Sequence, residues 1–307
     1  MQVMDIEVKE NFDITNMTSF KVGGIVKKIY FPSNQQEFTY LLQNIKSPLV
    51  LGSCSNVIIS SQGYDGVIIS TTKMDNIMVR GTCIIAECGA KGPMAAQVAY
   101  NSSLSGFEFM IGFPGTIGGN VFMNAGAHGQ NISDTFVKGC LYDTKAKEVI
   151  YLNKEDLCFG YRESILQKGR YILLGGEFEL KKAKQTEIKE LMDRNLEFRK
   201  NIQPSLAYPN AGSVFKNPEN DSAGRLLDKA GVKDLCSDKV KVWEKHANFV
   251  VNTGKATSED ILELMYKMYQ SVKDTYTIEL EPEIRYIGKM NKREEEICKQ
   301  LYKKTQK

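Results

Sequence analysis

GFPGTIGGNVFMNAGAHG, residues 112–129, is the stretch on which the reading of this chain turns. Gly112, Gly115, Gly118, Gly119, Gly126 and Gly129 lie there among small residues and Pro114. Glycines at this density lose much backbone entropy on folding. They are tolerated where the chain must take φ > 0, or where an anionic ligand must come close to backbone N–H groups. The alternative is a set of tight turns between strands. The run is neither the GxGxxG of a doubly wound dinucleotide fold nor the GxxxxGK[ST] of a P-loop, so neither of those folds is implied.

Working outward, a second loop has the same character. LGSCSN (51–56) follows the apolar run PLV and offers Gly52, Ser53, Ser55 and Asn56 where an anion could sit beyond a strand end. Ser and Asn are also ordinary turn residues, so the loop alone identifies nothing. Upstream, IVKKIYFP reads as a strand and SNQQEFTYLLQNIK as a helix. Ser33 is the expected cap, and Phe38, Leu41, Leu42 and Ile45 fall on one face. PLVLG closes a βαβ unit. GVIIST, the hairpin NIMVRGTCIIAEC and a helix around PMAAQVAYNSSL follow.

Downstream of the run, VKGCLYD and EVIYL are expected to pair across DTKAK, with YILLGGEFEL as a further strand. TEIKELMDRNLEFRKNI reads as a helix that Pro204 ends. LAYPNAGSVFKNPENDSAG, rich in Pro, Gly and Asn, marks a boundary near residue 204. Beyond it come a helix from Ala223 to Ala230 stopped by Gly231, the strand HANFVVN, and a helix from Ser258 to Lys273 with Ile261, Met265, Met268 and Val272 in register. A long strand TYTIELEPEIRYIG and a charged terminal helix complete the pattern.

Composition narrows the class of protein. The chain has 307 residues, of which 42% are apolar and 25% charged, which is enough for two or three domains. A net charge of +3 does not suggest a nucleic-acid binder. The seven cysteines form no CxxC pair and fit a reducing compartment; His128 and His246, the only histidines, suggest no metal site. No apolar run approaches the roughly 18 residues of a membrane span, and the start lacks the pattern of a secretory signal. A soluble cytoplasmic protein with no membrane partner is expected.

Three more segments place polar groups in apolar or turn-rich settings: FGYRES with Tyr161 and Arg162, NAGSVFKNP with Ser213, Lys216 and Asn217, and LEPEIRYIG with Glu281, Glu283 and Arg285. Singly, each has an ordinary explanation as a surface ion pair, a turn hydroxyl or solvated strand charges. They are far apart in sequence, so only a fold could assemble them.

Taken in order, TSFKVGG, LGSCSN, FEFMIGFPGTIGGNVFMNAGAHG, GYRES, GSVFKNP, AGRLLDKAG, HANFVVN and LEPEIRYIG resemble the UDP-N-acetylenolpyruvoylglucosamine reductase family, over about Thr18 to Gly288. The resemblance implies an α+β fold. It would have a two-part FAD-binding module of the vanillyl-alcohol-oxidase type (1–70, a βαβ subdomain, and 71–203, strand-rich) and a smaller substrate-binding domain (204–307). It implies non-covalent FAD, NADPH as hydride donor, and reduction of a UDP-sugar enolpyruvyl ether in peptidoglycan precursor synthesis. Carried over position by position, it implies catalytic roles for Arg162, Ser213 and Glu283, and substrate contacts from Tyr161, Lys216 and Asn217. FAD contacts would come from Gly52, Ser53, Ser55, Asn56, Pro114, Gly115, Thr116, Gly118, Gly119, Asn124, Gly126 and Ala127. A flavin oxidase of the same superfamily and a non-catalytic flavin- or nucleotide-binding relative are the alternatives. Two features depart from the pattern. Cys54 stands where the family usually has glycine, which would be strained if the position needs φ > 0, and the short spacing from Arg162 to Ser213 resembles the shorter subtype. Trp243 is also atypical.

Overall fold

The structure is a computed structural model, and it describes residues 5–205 and 207–303. Two compact units emerge. The described parts of Met1–Glu10, Lys28–Ser53 and Gly66–Arg199 form one, and those of Asn11–Lys27, Cys54–Asp65 and Lys200–Lys307 form the other.

A four-stranded sheet runs in the order Glu7–Asp13, Ile25–Phe31, Tyr64–Ser70, Leu49–Leu51. The expected βαβ connection exists, but Leu49–Leu51 lies parallel to Tyr64–Ser70 rather than to the strand before the helix. The helix Gln35–Asn44 is capped one residue later than expected, by Asn34 and not Ser33. Asn34 accepts the Glu37 N–H, and Ser33 instead hydrogen-bonds the Glu37 carboxylate. Phe38, Leu41 and Leu42 go into a core with Ile69, Tyr142 and Leu174, as the 3.6-residue period requires.

A five-stranded antiparallel sheet follows, ordered Glu148–Asn153, Phe136–Asp143, Tyr171–Glu179, Cys83–Glu87, Ile77–Arg80. Both expected hairpins are present, with Asp143 opposite Glu148 and Arg80 opposite Cys83. The helices Gly92–Asn101 and Ile117–Phe122 contribute Ala95, Ala96, Ala99, Ile117 and Val121 to the core that also holds Phe136 and Phe178.

The second unit is built on the helices Ala223–Lys229, Ser258–Tyr276 and Lys292–Leu301. Ile261, Met265, Met268 and Val272 are fully buried on one stripe of the long helix, the register expected from sequence. That helix runs to Tyr276, and Thr277 then turns at φ 58°. The long strand expected over 275–288 is therefore cut to Arg285–Ile287, which pairs in parallel with Val57–Ile59. The polar, β-branched sequence TYTIELE suits a strand locally, yet burial of Val272 against the core carries the helix one turn further. The charged terminal segment is a packed helix: Ile297, Cys298 and Leu301 are buried, and Glu294 is held at its start by Ser258 Oγ at 2.5 Å.

Residues 11–27 and 54–65 pack with the C-terminal part. The reason is long-range bonding. Asn252 Nδ2 donates to the Phe20 carbonyl (2.9 Å), and Val57–Ile59 finds its strand partner more than 220 residues later.

Candidate functional site

Gly118 is the second residue of the short helix Ile117–Phe122 within the run, and the carbonyl of Cys88, just past the strand Cys83–Glu87, crowds it. Its N–H donates to Cys88 O and that of Ile117 to Ala90 O, both at 2.7 Å, and a Cβ at Gly118 would meet Cys88 O at 3.0 Å. Thr116 caps this helix by accepting from Gly119 N (3.4 Å). Gly52 lies directly against it, where a Cβ would fall 2.2 Å from Thr116 Oγ1. The loop after Leu51 and the glycine run are therefore joined through Gly52 and Thr116. Gly119 keeps an open face: among the described residues outside its own helix turn, only Thr116 Oγ1 is near, at 3.6 Å from a built Cβ.

The end of the run is a tight hairpin. Ala127 pairs with Gln130 and Gly126 with Asn131, across His128 (φ 54°) and Gly129 (φ 78°). Positive φ at both turn residues is what a type I′ two-residue hairpin demands. Gly126 is needed for packing, since a Cβ would lie 2.1 Å from Asn131 Oδ1. Asn124, at φ 41°, uses its amide on the chain itself: Nδ2 donates to Gly160 O (2.8 Å) and Oδ1 accepts from Ser133 N (3.2 Å). The carbonyl of Gly115, next to Pro114, accepts from Gly92 N. Many of these glycines thus serve close packing of protein on protein. Open to a ligand are the face of Gly119 and the buried Ser53 Oγ, which has no partner among the described residues. An orphaned hydroxyl beside a side-chain-free cradle fits a cofactor that carries oxygen acceptors.

Arg162 reaches the same unit's glycine run. Gly160 and Glu163 bridge each other (3.1 and 3.3 Å), leaving Tyr161 and Arg162 at the tip of a two-residue turn with Arg162 at φ 58°. The turn is tied to the end of the glycine helix. Ser164 Oγ and Gln167 Nε2 both donate to Phe122 O (2.8 and 2.9 Å), and Gln167 Nε2 also donates to Arg162 O (2.8 Å). The Arg162 guanidinium donates to Gly126 O at 3.5 Å and lies 5.5 Å from the Tyr161 ring. A non-glycine residue held at positive φ is strained by about 1–3 kcal/mol, and such strain is found where the fold fixes a functional side chain.

In the second unit, Ser213 to Asn217 forms a short extended ladder. On one side Val214 N donates to Asn248 O (2.9 Å), and Ser213 bridges Phe249. On the other, Glu283 N donates to Val214 O and Lys216 N to Glu281 O, both at 2.9 Å. Ser213 and Glu283 are thereby set on adjacent backbone strands, one residue apart in register. Asn248, 2% exposed, clamps the centre: its Oδ1 accepts from Phe215 N (3.0 Å) and its Nδ2 donates to Phe215 O (2.8 Å). Asn56 also works here. Its Nδ2 donates to Glu283 O (3.1 Å), and its carbonyl accepts from Arg285 N. Lys216 Nζ pairs with Glu281 Oε1 at 2.5 Å, and Asn217 Oδ1 accepts from Ala223 N at the start of the helix Ala223–Lys229. Asn248 was not among the residues singled out from sequence; an asparagine inside the apolar segment HANFVVN was the available signal.

The remaining oddities have structural accounts. Cys54 is buried at φ 51°, and burial pushes its thiol up to about 12. Trp243 donates its indole N–H to Ile202 O (3.1 Å) and packs with Phe249 and Val251. His246 accepts from Asn248 N at Nδ1, and His128 packs edge-on to Phe198; burial lowers the pKa of both.

This geometry can be set beside known proteins. A model described as the C-terminal domain of UDP-N-acetylenolpyruvoylglucosamine reductase matches residues 203–287, and one described as an FAD binding domain matches residues 29–143. The UDP-N-acetylenolpyruvoylglucosamine reductase of Caldicellulosiruptor bescii is 40% identical over 290 residues, covering 92% of this chain and 91% of that protein. That of Latilactobacillus sakei is 39% identical over 288 residues, covering 92% and 94%. The crystal structure of UDP-N-acetylenolpyruvylglucosamine reductase from Thermus caldophilus superposes with a TM-score of 0.79 at 29% identity, covering 92% of this chain and 99% of that one. With an FAD-binding domain, the α+β fold and this likeness along nearly its whole length, the chain belongs to the UDP-N-acetylenolpyruvoylglucosamine reductase family of FAD-dependent oxidoreductases.

Proposed function

We propose that this protein uses NADPH and FAD to reduce the enolpyruvyl ether of UDP-N-acetylglucosamine enolpyruvate to the lactyl ether of UDP-N-acetylmuramate, in the cytoplasm, as a step of peptidoglycan precursor synthesis. The observation that carries the reading is the 40% identity over 290 residues to a reductase of that name, with Arg162, Ser213 and Glu283 all present at the matching motifs. FAD, once bound, supplies the hydride. The chain would hold it with Gly52, Ser53, Ser55, Asn56 and the run from Pro114 through Gly115, Thr116, Gly118, Gly119, Asn124 and Gly126 to Ala127. The proposed module is of the vanillyl-alcohol-oxidase type.

Everything else is asked of side chains. As the vinyl carbon is reduced, negative charge moves toward the substrate carboxylate and must be met by fixed positive charge or donors. Arg162 suits this because the chain's own hydrogen bonds pin its turn to Phe122 O and Gly126 O. Glu283, held by its backbone between Val214 and Asn56, would donate to the same carboxylate if protonated. Ser213 Oγ would deliver the proton to the neighbouring carbon, which a hydroxyl can do only with support from its surroundings. Tyr161, Lys216 and Asn217 would line the substrate, with Lys216 exchanging its Glu281 partner for an anionic ligand or holding both.

The test is NADPH oxidation by purified, FAD-loaded protein with and without the UDP-sugar substrate. Substrate should accelerate it at least tenfold and yield UDP-N-acetylmuramate. A yellow protein indifferent to substrate would retain the flavoprotein assignment and lose the reductase one.

A further inference from the structure

Arg199 occupies the last turn of the helix Gln185–Ile202, and its stem lies on the α-carbon of Gly112, the first glycine of the run. A Cβ at residue 112 would fall 2.4 Å from Arg199 Cδ and 2.5 Å from its Nε. The guanidinium stands 5.8 Å from the Phe113 ring centre. Its chain neighbour Phe198 meets His128, near the other end of the run, at 5.3 Å. Consecutive residues of one helix thus touch both ends of the glycine segment, all within the first unit.

Arg199 is half-buried, and among the described residues its guanidinium has neither a carboxylate partner nor a hydrogen-bond acceptor. Burial pushes its pKa down, with no compensating anion. A ring face and a helix C-terminus favour a cation only weakly, whereas withdrawing a guanidinium from water is expensive. Five N–H donors in a planar fork match phosphate oxygens in geometry as well as charge. We propose that Arg199, seated on Gly112 and Phe113, is a binding residue for the diphosphate of a nucleotide ligand.

That diphosphate chemistry has three sources under the function proposed above, on which their identity rests: FAD, the UDP-sugar and NADPH. Arg199→Ala and Arg199→Lys, made in the full chain, separate them. The measurements are FAD titrated into deflavinated protein by fluorescence quenching, UDP titrated into FAD-loaded protein by calorimetry, and the NADPH concentration dependence of flavin reduction. Arg199→Ala should weaken one or two of these by tenfold or more and leave the rest within twofold. Arg199→Lys should recover part of the loss, because it restores charge without the fork. All three within twofold of the parent would overturn the proposal, as would a uniform fall accompanied by a lower melting temperature of the ligand-free protein, which marks a packing role. FAD and UDP binding are read without turnover. A protein that binds a diphosphate through Arg199 but ignores substrate in the NADPH assay therefore sinks the reductase reading and keeps this site.

Discussion

The glycine run of the first unit and the Ser213 ladder of the second hold their polar groups by opposite means. Around residues 112–129 the contacts are made by what is absent. Gly52, Gly118 and Gly126 each let another part of the chain come within 2.1–3.0 Å of where a Cβ would sit. Around Ser213 they are made by hydrogen bonds reaching across 33 residues to Asn248 and across 69 to Glu283. The first arrangement is tolerant of chemistry but not of volume. The second tolerates volume changes at its rim but not the loss of a donor or acceptor.

The comparison can be broken most sharply at Ser213. Ser213→Ala removes one oxygen and leaves the ladder's backbone bonds untouched, so the fold should survive. NADPH should reduce the flavin at the parental rate while reoxidation by substrate slows about 10²–10⁴-fold, the usual worth of a positioned proton donor. Stopped-flow half-reactions measure this, and parental turnover in the variant would remove Ser213 from the mechanism.

A change at Asn248 sharpens the same contrast through stability. Asn248→Ala strands the buried N–H and C=O of Phe215, and two unsatisfied buried groups cost about 2–4 kcal/mol. The urea midpoint should fall accordingly; a shift below a few tenths of a molar would mean that the ladder does not depend on its clamp.

The smallest effect is expected at Cys54, where volume and backbone compete. Glycine is ordinarily less stable than alanine by about 0.5–1 kcal/mol. At φ 51° the order should reverse, because a Cβ in the left-handed region costs about 1–2 kcal/mol. Cys54→Gly should therefore unfold at higher denaturant than Cys54→Ala. Equal or inverted midpoints would show that the loop relaxes and stores no strain.

Much of the fold was legible locally. The helix Ser258–Tyr276 declared itself through Ile261, Met265, Met268 and Val272, and the hairpin across DTKAK through its turn residues, because both signals repeat within a few residues. The strand expected over 275–288 was not, since burial of the preceding helix overrode a β-prone sequence. Asn34 displaced Ser33 as a cap because both can cap and only the backbone conformation at position 34, extended at φ −155°, chooses between them. Arg162, Ser213 and Glu283 could be proposed as catalytic from the family resemblance of their motifs. That Asn56 holds the Glu283 carbonyl, that Asn248 brackets Phe215, and that Arg199 rests on Gly112 could not.

By itself the sequence determined the residue types and the periodicities: which stripes are apolar, where glycine is dense, and which family the collinear motifs match. Those properties are carried by neighbours within a turn or two. Only the tertiary structure decided that residues 11–27 and 54–65 pack with the C-terminal part, that Arg162 stands at φ 58° against Gly126, and that Gly112, Gly118 and Gly126 make room for protein while Gly119 and Ser53 stay open. Close approach and long-range pairing depend on which distant segments arrive together, and no local pattern encodes that.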